Sequence, residues 1–115
     1  MVMEITQAEG NKVNGTSFHN SKIVATIDEL TDLFGEAPFQ GDRNEKVQYS
    51  WELTLSQELF GDIHFTIYDW KQYRTLSRHS EYEFHIGGFS KSQTERAREA
   101  VEELLMDYRG YDNLI

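Results

Sequence analysis

Val47-Gln48-Tyr49-Ser50-Trp51-Glu52-Leu53-Thr54-Leu55 is the stretch that decides the fold. Apolar and polar side chains alternate along it, the pattern of an extended strand with one buried face and one wet face. Downstream, Gly61-Asp62 supplies a turn. Ile63, Phe65 and Ile67 then alternate with His64, Thr66 and Tyr68 in a second strand. Tyr82, Phe84 and Ile86 alternate with Glu83 and His85 in a third, and the connections predict an antiparallel meander. Upstream, Thr26-Ile27-Asp28-Glu29 forms a Thr-x-x-Glu capping box. Ile27, Leu30, Leu33 and Phe34 follow at helical spacing, and Gly35 supplies the stop. Met3–Thr6 and Lys12–Phe18 read as two short strands around a Gly10-Asn11 hairpin turn.

The C-terminal segment predicts a longer helix. Ser92 with Glu95 makes one capping box, and Ser90 with Gln93 a competing one half a turn earlier. Ala97, Val101, Leu104, Leu105 and Tyr108 form its apolar stripe, and Gly110 can end it. The sum is a single α+β domain over residues 1–115: an antiparallel sheet of about four to five strands with two helices packed on one face.

Composition narrows the function. A chain of 115 residues with 38% hydrophobic and 13% aromatic content can bury a core without staples. It has no cysteine, which removes disulfides, thiolate catalysis and cysteine-based zinc sites. No apolar run approaches the ~20 residues that span a bilayer, and the N-terminus lacks signal-peptide character, so a cytosolic site and no membrane partner are expected. The net charge of −9 argues against general nucleic-acid binding.

Residues 71–98 depart from that acidity. Lys71, Arg74, Arg78, Lys91, Arg96 and Arg98 outnumber Glu81, Glu83 and Glu95 there. Local positive charge can hold a small anion, since fields beyond ~8 Å are largely screened. The candidate site is therefore a junction. Gly87 and Gly88 precede a helix start that can offer backbone N–H groups to a phosphate. Lys71 and Lys91 would supply charge, with Arg74 and His85 nearby, and Tyr68 and Trp70 a stacking surface for a base. The same glycine pair also suits a tight turn that delivers the helix onto the sheet.

Other constellations are poorer. Strand parity sets His64 and Asp69 on opposite sides, so no metal site and no cofactor is expected. No Gly-x-Ser-x-Gly elbow occurs, and the expectation is a non-enzymatic protein, with a signal-degrading hydrolase as the open alternative. The acidic set Glu95, Glu99, Glu102, Glu103, Asp107 and Asp112 could mimic a phosphate track for a basic protein surface, or simply be a solvated helix face.

The words Gly15-Thr16-Ser17, Leu33-Phe34-Gly35, Lys46-Val47 with Trp51, Ile67-Tyr68-Asp69-Trp70-Lys71 and His85-Ile86-Gly87-Gly88 carry a resemblance. The run from Thr16 to Gly88 resembles small proteins of unassigned function encoded by bacteriophages. Such relatives tend to place Trp before His-Ile-Gly-Gly, where this chain has Phe84. The resemblance implies a viral protein acting in the host cytoplasm, through antagonism of a host defence process. The expected partner is a nucleotide-derived small ligand or, alternatively, a host protein blocked by the acidic surface; a homo-oligomer is compatible with either.

Overall fold

The computed structural model describes residues 3–59 and 61–110. In chain order they form β1 (Met3–Gln7), β2 (Ser17–Thr26), α1 (Ile27–Phe34), β3 (Phe39–Gln40), β4 (Tyr49–Gln57), β5 (Ile63–Tyr68), β6 (Glu81–Gly88) and α2 (Lys91–Arg109). The sheet order is β1-β4-β5-β6-β2, every pair antiparallel, with the short β3 also on β4. This is the α+β architecture expected, and β4-β5-β6 is the expected meander.

Period-two patterning explains the core. Trp51, Leu53 and Leu55 on β4, Ile63, Phe65 and Ile67 on β5, and Phe84 and Ile86 on β6 all point to one side and are buried. Ile23 and Ala25 extend that face on β2. α2 covers it with Ala97, Ala100, Val101 and Leu105, and α1 adds Ile27, Leu30 and Phe34. Trp51 has no exposed surface and its indole donates to Gly35 O at 2.8 Å, so the α1 terminus is pinned to the sheet.

The N-terminal reading needs correction. Residues 10–15 form turns, and the strand that follows runs on to Thr26. β1 pairs with β4, so Gly10-Asn11 is not a hairpin turn between paired strands. A bulge between Phe18 and Ser21, with Asn20 at φ 66°, interrupts the extended run of β2 and hides it from a period-two reading. Thr26 closes β2 and at once caps α1. Its hydroxyl accepts from Glu29 N at 3.0 Å, and the Glu29 carboxylate accepts from Thr26 N at 2.9 Å, the reciprocal box expected.

α2 begins at the earlier of its two competing caps. Ser90 accepts from Gln93 N at 3.2 Å, while Ser92 lies inside the first turn. Gly110 closes the helix in the left-handed conformation. Tyr108, expected on the apolar stripe, is exposed and its hydroxyl donates to the Asp32 carboxylate. The 69–80 connection is packed down rather than loose. Leu76 enters the core, Gln48 Nε2 donates to Arg74 O at 2.9 Å, and Arg78 reaches Asp28 and Thr31 of α1.

Candidate functional site

The second face of the sheet is set by register. One row across it is Ser50, Tyr68, His85 and Lys22; the next is Glu52, Thr66, Gly87 and Phe18. These residues alternate with the buried ones, so they share the face away from the core. Gly87 leaves a gap in the second row. A Cβ there would lie 2.6 Å from Thr66 Oγ1 and 3.5 Å from Tyr68 Cε1, so its neighbours occupy the space a side chain would need. Gly88 faces the other way: a Cβ there would stand 2.3 Å from Thr94 Oγ1 and 3.3 Å from Thr94 Cα, the close approach of α2 to the sheet.

Around that gap the aromatic side chains gather into a ledge. Phe18 stacks on His85, ring centroids 4.1 Å apart and planes 14° from parallel. Trp70 also lies near-parallel to His85, at 6.1 Å and 27°. Tyr68 meets His85 edge-on at 5.4 Å and Trp70 edge-on at 6.2 Å. Such offset and edge contacts suit the aromatic quadrupole. Trp70 keeps 40% of its surface exposed and Phe18 39%, so both present ring area to solvent. Lys71 Nζ sits 5.6 Å from the Trp70 ring centroid, a cation–π distance.

Asp69 holds the far end of the ledge in place. Its carboxylate is fully buried, and Oδ1 accepts from Gln48 N at 2.8 Å and Tyr49 N at 2.7 Å. Lys71 N donates to Lys46 O at 2.7 Å. The segment flanking Trp70 is thus tied at both ends to the start of β4. Lys71 and Tyr73 adopt φ 55° and 51°, a left-handed conformation uncommon in residues that carry a side chain. Burial raises the Asp69 pKa, with the Tyr49 and Gln48 amides pulling the other way.

His85 titrates below its ordinary range. Burial is the first cause, the Lys22 ammonium the second, and Glu83 opposes them. The imidazole is therefore neutral at physiological pH and stacks as an aromatic ring. Burial pushes the Tyr68 pKa the other way, upward, and the side chain stays a phenol.

Of the residues marked by sequence, Tyr68, Trp70, Lys71 and His85 come together, and Gly87 lies beneath Tyr68. Arg74 does not join them; its guanidinium lies 5.6 Å over the Tyr82 ring, and Tyr82 packs against the core. Gly87 and Gly88 are paired strand residues, opposite Phe18 and Ser17, rather than free helix-start amides. Lys91 opens α2 as an exposed side chain. The basic stretch is also dispersed: Arg78 pairs with Asp28, Arg96 with Gln57, and Arg98 with Glu102. Phe18 and Lys22 are the residues that sequence reasoning missed. The Ser21, Ile23, Ala25 alternation was the available signal: carried back through the two-residue bulge it keeps its parity and sets Phe18 on the same face as Lys22.

Among the described residues no group of three or more His, Asp or Glu is placed to hold a metal ion. His64 bonds Thr54 at 2.8 Å and His19 bonds Thr94 at 2.8 Å. A separate cleft, lined by Gln57, Asp62, Ile63, Ser92, Gln93 and Arg96, lies at the opposite end of β5. Its Arg96 and Gln57 are already bonded to each other at 2.8 Å. No described helix is long and apolar enough to cross a membrane. The chain matches no protein-family model, no curated protein and no solved structure.

Proposed function

We propose that this chain is a non-enzymatic binding protein that holds a planar ligand on the Phe18–His85–Trp70–Tyr68 ledge. The observation that carries the reading is the near-parallel set of Phe18, His85 and Trp70, with the partly exposed Phe18 and Trp70 at its two ends. Aromatic rings held rigid by their neighbours stack a base at little entropic cost; base–aromatic stacking contributes about 1–3 kcal/mol per base. The ligand we favour is a nucleotide-derived signal of host defence, sequestered in the host cytoplasm. The phage setting rests on the resemblance of the Ile67–Lys71 and His85–Gly88 words, and the chemistry on the ledge. Calorimetry against a panel of nucleotide signals tests it, followed by heat release of whatever is bound. Intact ligand on release supports sequestration, an altered product means an enzyme, and no heat with any nucleotide removes the proposal.

A second reading places the partner on α2. Glu99 and Glu103 are exposed there, and Glu102 is held by Arg98 on the same helix. This surface suits a basic host protein, such as one that binds nucleic acid. A pull-down from host lysate, weakened by salt and by charge reversal at Glu99, Glu102 and Glu103, would favour it over the ledge.

A further inference from the structure

The remainder of the open face limits what the ledge can accept. Glu52 stands in the row of Thr66, Gly87 and Phe18, and Glu4 lies on the same face of β1, opposite Ser56. Glu83 flanks His85 on β6 and lies 3.4 Å from Lys22 Nζ. The cations of this corner are Lys22, directly across from His85, and Lys71, over Trp70. A chain of phosphates laid across the strands, which are ~4.8 Å apart, would run from Lys22 past His85, Tyr68 and Ser50, which offer no cation, beside Glu52 in the next row. A lone base with one phosphate meets only the corner. The corner sets two cations, Lys22 and Lys71, against one carboxylate, Glu83, in a protein that carries −9.

Building on the binding role proposed above, we infer that the ledge selects a single planar anion of mononucleotide size. It stacks on Trp70, the end of the set beside Lys71, takes Lys22 and Lys71 as counter-charges, and is preferred over both the uncharged nucleoside and a polynucleotide strand. Trp70 supplies affinity common to base and nucleotide, while the two ammonium groups supply the discrimination. Both lysines are exposed, so their attraction is screened by salt.

Calorimetry with the common ribonucleoside monophosphates, their nucleosides and a short single-stranded homopolymer tests this directly. At least one monophosphate should bind about tenfold tighter than its nucleoside, a difference that shrinks as salt rises. Lys22→Glu with Lys71→Glu should erase that preference without moving the thermal transition. Lys71→Gln alone serves if the double variant melts early, and should narrow the preference. Equal affinity for nucleoside and monophosphate overturns the inference but leaves the stacking role intact. Tighter binding of the homopolymer per site overturns it in the same way. No binding by any monophosphate or nucleoside overturns both.

Discussion

Trp51 and Trp70 stand on opposite faces of one sheet, and their replacement separates packing from recognition. Trp51→Ala leaves a cavity in a fully buried site and strands the Gly35 carbonyl, so it should cost about 3–5 kcal/mol and can unfold the domain. Trp70→Ala should keep the thermal transition within a few degrees while abolishing ligand binding. Matching losses of stability in the two variants would place Trp70 in the core and sink the ledge. Gly87 offers a second test. Gly87→Ala must displace Thr66 Oγ1 and crowd Tyr68, for about 1–3 kcal/mol and weakened binding. Adding Thr66→Ala should recover much of the loss, and a strictly additive double-mutant cycle would show that the contact is not the cause. His85 gives a pH signature. Its folded pKa is depressed, so its share of stability is full above its unfolded value near 6.5 and drains as pH falls through the folded value. The charged groups about it are Lys22, Glu83 and, across the ledge, Lys71. Denaturant melts from pH 7.5 to 5 should flatten in His85→Asn; an unchanged profile would mean the ring is not held neutral.

At the scale of elements, the caps decide where helices begin. Ser90→Ala should cost about 1 kcal/mol, whereas Ser92→Ala should be close to neutral, a contrast that urea melts resolve. Arg109 ties three elements at once. Its guanidinium donates to both Glu29 oxygens, at 2.6 and 2.9 Å, and to Val24 O at 3.1 Å. The Arg109 contact is the leading cause of the lowered Glu29 pKa. The associated stability is present above the ordinary glutamate value of 4.5 and is lost as pH falls through the folded value. Glu29→Gln should therefore shorten the acid limb of the stability curve. A variant that loses stability at neutral pH but keeps the full acid limb would refute that assignment. The elements differ in how openly they are written. β4, β5 and β6 alternate without interruption and were readable; β2 was not, because two extra residues, His19 and Asn20, bulge out of its pairing with β6 and interrupt the extended run. Ser90 and Ser92 carry the same chemistry, so the sequence alone does not choose between them; in the fold Ser90 is the cap.

For the whole molecule, charge and topology matter more than any one contact. The linear cluster of cations in residues 71–98 looked like one basic face, yet folding sends most of its arginines to separate carboxylate, amide or ring partners. Part of the candidate site was therefore legible: the sequence disclosed Tyr68, Trp70, Lys71 and His85, while Phe18 and Lys22 lie far away in sequence and enter only through the β2–β6 register. If the acidic α2 surface rather than the ledge met a partner, Glu99→Lys with Glu103→Lys would abolish the complex and spare small-ligand binding; the ledge reading expects the reverse for Trp70→Ala.

The pairing of β2 with β6 also sets an order of events during synthesis. Phe18 leaves the ribosome long before His85, and at ~5–20 residues per second its strand waits seconds for the one neighbour it has in the sheet. Until β6 emerges, Ile23 and Ala25 have no sheet to complete and the stacking surface does not exist. A nascent chain stalled before residue 81 would be a sticky, ligand-blind fragment, and binding competence would switch on in one late step.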